Sequence, residues 1–144
     1  MGAHMSGMDS QRTGALAELT AQTYYVSNGY DIYTPNIPQS KCDFIVTKGS
    51  EVIKVQVKKA TENSTKSGTY LQIRLQGKPT PYGVREYTID DFDELIIVHD
   101  AGIWIIPSKD VLDKKSITFG KLMDDGTVVV GKRSTVKTSI YKVA

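Results

Sequence analysis

Glu18, Asp43 and the run Gln56-Val57-Lys58 are the residues of this 144-residue chain whose types and spacing suit chemistry. Asp43 lies among Cys42, Phe44, Ile45 and Val46, where an ionised carboxylate is costly unless a cation or hydrogen-bond donors meet it. Gln56 and Lys58 are two apart, so on a strand they point the same way, roughly 6.5–7 Å from each other. Glu18 has to arrive from a packed helix. Carboxylates that hold a hard divalent cation, the cation as Lewis acid, and an ammonium near the attacking water are what phosphodiester hydrolysis requires. Taken one at a time the same residues have plainer readings: Asp43 as a strand-edge acid bonded to backbone, Lys58 on a solvated strand face, Glu18 as an exposed helix carboxylate.

These residues need particular elements to position them. Thr13 can cap a helix running to about Ser27, with Leu16, Leu19, Thr23 and Val26 at helical spacing and Asn28-Gly29 as its stop. Tyr30 to Thr34 reads as a short strand ended by Pro35 and Pro38. Lys41 to Thr47 reads as a second, followed by the turn Lys48-Gly49-Ser50. Glu51 to Lys59 alternates cleanly, with Ile53, Val55 and Val57 on one face and Val52, Lys54, Gln56 and Lys58 on the other. A hairpin of the second and third strands brings Gln56 and Lys58 beside Asp43. After a polar loop at residues 61–68, Thr69 to Gln76 turns Leu71, Ile73 and Leu75 inward. Residues 77–91 read as a long loop, and Phe92 to His99 and Ile103 to Ile106 as buried strands that double as candidate subunit interface. Pro107-Ser108 opens a short helix to about Leu112. One helix leading into a mixed sheet predicts a single α/β (α+β) domain.

The composition narrows the chemistry. With 40% hydrophobic residues, the chain has room for one domain with a real core rather than two. Met1 to Gly7 read as an expression-tag remnant, leaving residues 8–144 as the domain. His99 and Cys42 are then the sole residues of their kinds, which excludes a Cys/His zinc site, a disulfide framework and a two-histidine nuclease centre. No apolar run approaches the roughly 20 residues of a membrane span and no signal peptide is evident, so the expectation is a cytoplasmic protein without a membrane partner. The net charge of +2 conceals segregation: residues 41–87 carry nine basic and four acidic side chains, residues 88–125 four and nine, and residues 126–144 four basic and no acidic ones. Two basic stretches around an acidic one suit a chain that lays its middle strands and tail along phosphates.

At these residues the chain resembles the PD-(D/E)XK nucleases, in which a helix Glu precedes a strand Asp and then a (D/E/Q)-x-Lys strand. The stretches that carry the resemblance are Gly14-Ala-Leu-Ala-Glu18, Asn28-Gly29-Tyr30-Asp31, Cys42-Asp43-Phe44-Ile45-Val46 and Val55-Gln56-Val57-Lys58. Within that superfamily it is most similar to the small homing endonucleases of cyanobacterial group I introns and their phage-borne relatives. Cys42 stands where proline often precedes the Asp, and Gln56 replaces the usual second acid. A neutral amide supplies oxygen without charge, which lowers cation affinity and makes Glu18 more necessary. The resemblance implies a restriction-endonuclease-like core, a central mixed sheet flanked by helices, and a Mg²⁺ (or Mn²⁺) dependent deoxyribonuclease. It implies Asp43, Glu18 and the Val57 carbonyl as metal ligands, Gln56 orienting water or ion, and Lys58 stabilising charge. A Holliday-junction resolvase-like nuclease and a non-catalytic nucleic-acid-binding module that keeps the fold are the alternatives at this point.

For double-stranded DNA as partner, Tyr70, Gln72, Arg74 and Gln76 offer a strand face able to donate and accept in a major groove. Lys41, Lys59, Lys78, Arg85, Lys132 and Arg133 are candidate phosphate contacts. One centre cuts one strand, so a double-strand cut calls for at least a homodimer; the intron-encoded relatives are tetramers, which implies a homotetramer here.

Overall fold

The computed structural model describes residues 7–37, 40–75, 79–80, 83–84, 88–131 and 138–144. Helix α1 spans Gly7–Ser27 and so begins six residues ahead of Thr13. Met8 to Arg12 contain neither Pro nor Gly to stop it, and Asp9 in the first turn complements the helix dipole. Its end is the expected one. Gly29 at φ +89° leads the chain out; Tyr30 N–H donates to the Tyr25 carbonyl and Gly29 N–H to that of Val26, both at 3.0 Å. That is a Schellman stop, completed by the Tyr30 ring lying edge-on to Tyr25 at 5.5 Å.

The buried face of α1 is Ala17, Ala21 and Tyr25, while Leu16, Leu19, Thr23 and Val26 face outward. Two alanines let the helix lie close on the sheet, and Tyr25 fills the space beyond them against Phe44 at 5.9 Å. A leucine stripe would hold it off.

The strands among the described residues are β1 (Asp31–Tyr33), β2 (Phe44–Lys48), β3 (Glu51–Lys59), β4 (Thr61–Thr65), β5 (Gly68–Arg74), β6 (Pro79–Thr80), β7 (Gly83–Val84), β8 (Glu94–His99), β9 (Gly102–Pro107), β10 (Ser116–Leu122) and β11 (Val128–Val129). The first sheet runs β1-β2-β3-β8-β9, antiparallel throughout except for the parallel pair β3–β8. The second, β11-β10-β5-β4, is wholly antiparallel, and β6 and β7 form a short ribbon inside the expected long loop. Residues 61–65, expected as polar loop, are instead the edge strand β4. All its side chains are exposed, so it has no apolar alternation to announce it, and β-branched Thr61 and Thr65 suit a strand paired on one side. The helix expected at Pro107-Ser108 is one turn of 3₁₀ helix, Ser108–Asp110.

The result is three layers and two cores. Between α1 and the first sheet lie Ala17, Ala21, Tyr25, Phe44, Val46, Ile53, Val55, Ile96 and Val98. Between the two sheets lie Leu71, Ile73, Leu75, Leu95, Ile97, Trp104, Ile106, Ile117 and Phe119, with Cys42 at the margin. The second sheet thus covers the face where further helices were expected. Leu95, Ile96, Ile97 and Ile106 are fully buried within the chain, which makes this segment core rather than subunit interface. No helix among the described residues is long and apolar enough to cross a membrane.

Candidate active site

β2 begins at Phe44 opposite Val55, so beyond that point the edge of β3 is left without a strand partner. Asp43 fills the gap. Its N–H donates to the Val55 carbonyl at 2.8 Å, and its Oδ2 accepts the Val57 N–H at 2.7 Å. The side chain thereby satisfies a backbone donor that the ladder no longer reaches. In an extended strand a residue's carbonyl leaves on the same side as its N–H, so the Val57 carbonyl also points to Asp43's side. The Gln56 Nε2 lies 3.5 Å from that carbonyl, a long contact. The plain reading of Asp43 as a backbone-bonded strand-edge acid therefore holds, and it uses one of the two carboxylate oxygens.

Burial, opposed by the Val57 N–H and by the Lys58 ammonium, holds the Asp43 carboxyl above the usual carboxylate range. Burial also pulls the Lys58 ammonium down, and Asp43 acts against it. Glu18, half-buried on α1, is raised by burial and then by the charge of Asp43. The structure therefore brings Asp43 within electrostatic reach of both Glu18 and Lys58. Each carboxyl resists ionising as the site stands, the condition that a bound cation relieves.

The donor set suits a hard divalent ion. Two carboxylates, the Val57 carbonyl and the Gln56 amide oxygen are all oxygen donors, the preference of Mg²⁺ and Mn²⁺. Among the described residues no three His, Cys, Asp or Glu side chains converge as a metal cage. Two acids with neutral oxygens fit an ion that keeps several waters.

The expected DNA contacts do not share one face. Tyr70, Gln72 and Arg74 alternate with buried Leu71 and Ile73 and so lie on the outer face of the second sheet. β4 and β10 extend that face: Thr61 and Thr118 flank Gln72, and Asn63 and Lys121 flank Tyr70. Lys59 lies on the opposite side of the first sheet, in a cleft with Thr13, Leu16, Thr20 and Asp100. Lys41 is ion-paired with Asp91 at 3.4 Å. Gln76, Lys78, Arg85, Lys132 and Arg133 fall outside the described residues.

One pair was missed. Tyr25, at the core-facing end of α1, donates its hydroxyl to Glu94 Oε2 at 2.6 Å. The available signal was a single acid opening the otherwise apolar run Glu94–Val98. His99 is engaged at both ring nitrogens: Nδ1 accepts the Ala101 N–H at 3.0 Å, and Nε2 lies 3.1 Å from Glu62 of β4, tying the two sheets.

The chain is 38% identical over 109 residues to Protein 5.3 of Escherichia phage T7, covering 76% of this chain and 89% of that protein. Its fold matches a solved bacterial homing endonuclease, I-Ssp6803I, with a TM-score of 0.71 at 15% identity, over 92% of this chain and 87% of the other. Residues 8–131, which hold the helix acid, the strand-edge Asp43 and the Gln-x-Lys strand, match the PD-(D/E)XK endonuclease family. On that match the chain belongs to the PD-(D/E)XK endonuclease family.

Proposed function

We propose that this chain is a divalent-metal-dependent, site-specific endonuclease of the homing type, hydrolysing phosphodiester bonds in double-stranded DNA. The observation that carries the reading is Asp43 held by the amide of Val57, with the Lys58 ammonium acting on the same carboxylate. On this reading carboxylates, carbonyl and ammonium would serve one ion and one phosphate.

Asp43, Glu18 and the Val57 carbonyl would hold the ion, with Gln56 contributing its amide oxygen. The ion, when bound, supplies Lewis-acid polarisation of the phosphate and acidifies a water. The rest falls to the chain's own groups. The Val57 N–H fixes the orientation of Asp43, so no rotamer search precedes binding. The Lys58 ammonium stands where charge grows on the phosphate, in partly desolvated surroundings that strengthen its effect. Glu18, whose carboxyl is raised by burial and by Asp43 in the ion-free site, would give up its proton as the ion binds. Tyr70, Gln72 and Arg74 would read base edges, and Lys41 and Lys59 would meet phosphates. The likeness to I-Ssp6803I supports the homing type, and a double-strand cut implies at least a homodimer.

The test is cleavage of supercoiled plasmid carrying random inserts, with Mg²⁺ or Mn²⁺, by the unaltered chain and by Asp43→Ala and Lys58→Ala. Ion-dependent cutting that both variants lose is expected. Undiminished cutting by both would remove this site, and preference for a four-way junction over linear duplex would move the chain to the resolvases. The neutral Gln56 favours a second reading, a binding module without catalysis, which predicts DNA binding and no cutting with either ion.

A further inference from the structure

Asp43 is reached through a stretch with no regular structure of its own. Residues 40–43 lie outside any helix or strand, and the Ser40 N–H is tied to the Ile37 carbonyl at 3.1 Å. Beyond the buried Cys42 and the two bonds of Asp43 itself, the stretch is anchored by Lys41, whose ammonium lies 3.4 Å from Asp91 Oδ1. The Asp91 side chain is only 8% exposed, against 48% for Lys41. A carboxylate so enclosed is costly unless a cation and donors meet it. Asp91 has both: Oδ2 accepts the Thr88 N–H at 2.7 Å, and Lys41 is the cation that pairs with it among the described residues.

Asp91 in turn belongs to a loop base fixed to β3. Phe92, next to it, is buried. Asp93 donates its N–H to the Lys54 carbonyl at 2.8 Å and accepts the Lys54 N–H on Oδ2 at 2.9 Å, and the Lys54 ammonium donates to the Asp90 carbonyl. Asp43 meets the next residue, Val55, from the other edge of the same strand, because consecutive residues of a strand turn their N–H and C=O to opposite edges. The Lys41–Asp91 pair therefore spans β3, from the edge that carries Asp43 to the edge that receives β8. Its reach to Asp43 runs through the backbone, since the cation that acts on the Asp43 carboxyl is Lys58.

We propose that Asp91 is a positioning residue of this site: through Lys41 it holds residues 40–43 against β3 and so sets where Asp43 stands relative to the Val57 carbonyl and Lys58. Its consequence for cleavage rests on the nuclease reading; the strut itself does not. A displacement of about 1 Å at such a centre costs as much as about 100-fold in rate.

Lys41→Met keeps the aliphatic stem, Asp91→Asn keeps the shape and an oxygen for Thr88, and Lys41→Arg keeps the pair. In ion-free protein, amide hydrogen exchange at Asp43 and Val57 is expected to quicken by about tenfold in the first two, relative to the amides of β9 that report on the whole fold, and to stay as it is in Lys41→Arg. With saturating Mg²⁺, cleavage is expected to fall by about 10- to 100-fold in Lys41→Met and in Asp91→Asn, to fall no further in the double variant, and to be kept in Lys41→Arg. Should Asp91→Asn fail to fold, exchange in Lys41→Met against Lys41→Arg carries the same test. Unchanged exchange at Asp43 and Val57 in Lys41→Met would overturn the proposal. So would full cleavage by folded Asp91→Asn, which with a loss in Lys41→Met would leave Lys41 as a phosphate contact alone. A chain that shows the exchange difference and cuts no DNA would overturn the nuclease reading and leave the strut in place.

Discussion

The Tyr25 hydroxyl donates to Glu94 Oε2 at 2.6 Å, joining α1 to the first residue of β8 two helical turns from Glu18. Burial, partly offset by this bond, holds the Glu94 carboxyl above its ordinary range, and burial together with the acceptor pushes the Tyr25 phenol far up. The bond fixes the rotation of α1 about its axis and with it the angle at which Glu18 meets Asp43. Tyr25→Phe keeps the ring packing and removes the donor. Leaving a half-buried carboxyl without it is expected to cost about 1–2 kcal/mol, a drop of about 3–8 °C in Tm. Cleavage at saturating ion is expected to fall while the ion requirement rises, because Glu18 is mispositioned rather than lost. Thermal unfolding and ion titration of cleavage read the two effects separately.

Asp43 has a pH signature. Its folded carboxyl lies above the ordinary 3.8, so over the interval above 3.8 the folded chain binds more protons than the unfolded one. The contribution to stability is fully present below the unfolded value and is lost as pH rises through the folded one. Asp43→Asn keeps an oxygen for the Val57 N–H and has nothing to ionise. Near pH 4 the variant and the unaltered chain are expected to melt together; at pH 7 without divalent ions the variant is expected to melt higher by about 2–4 °C. Millimolar Mg²⁺ should raise the Tm of the unaltered chain alone, and cleavage by the variant should fall by about 10³-fold or more. A variant less stable at pH 7 would contradict the cost of ionising this carboxyl.

Much of this site was legible because it is local. The two-residue period of Glu51–Lys59 and the turn at Lys48-Gly49-Ser50 fix which side chains meet Asp43 across a hairpin, and the Asn28-Gly29 stop is set by backbone geometry within one turn. What was not legible depends on distant partners. The parallel pairing of β3 with β8 joins Val55 to Glu94, and from it follow both the Tyr25 contact and the choice of α1 face. Helical spacing alone marks Leu16, Leu19, Thr23 and Val26 as a stripe but does not say which surface takes it. β4 escaped because an exposed edge strand carries no burial pattern.

Gln56 makes the centre one charge less acidic than a second carboxylate would. Gln56→Glu restores that charge beside Asp43 and Glu18. The ion concentration for half-maximal cleavage is expected to fall by about tenfold, and the ion-free protein to lose stability at neutral pH, since a third acid adds to a site whose two carboxyls already resist ionising. Calorimetric titration with Mg²⁺ together with melting in chelator reads both. Unchanged ion binding together with unchanged stability would mean that position 56 points away from the cluster.

Arg74 and Lys59 separate sequence reading from phosphate contact, because they lie on opposite sides of the layered fold. Arg74 stands at the end of β5 on the polar outer face with Gln72 and Tyr70, where a guanidinium can pair bidentately with guanine. Arg74→Ala is expected to cost about 1–3 kcal/mol on the preferred site and to relax selectivity at one or two positions, with little change on unrelated DNA. Lys59→Ala, if that lysine meets a phosphate, weakens binding about equally on all sequences and lowers the salt-dependence slope by about one. Fluorescence anisotropy on cognate and random duplexes from about 50 to about 200 mM salt distinguishes the two. Equal losses on both duplexes for Arg74→Ala would reduce the second sheet's outer face to an electrostatic surface and move base reading elsewhere on the chain.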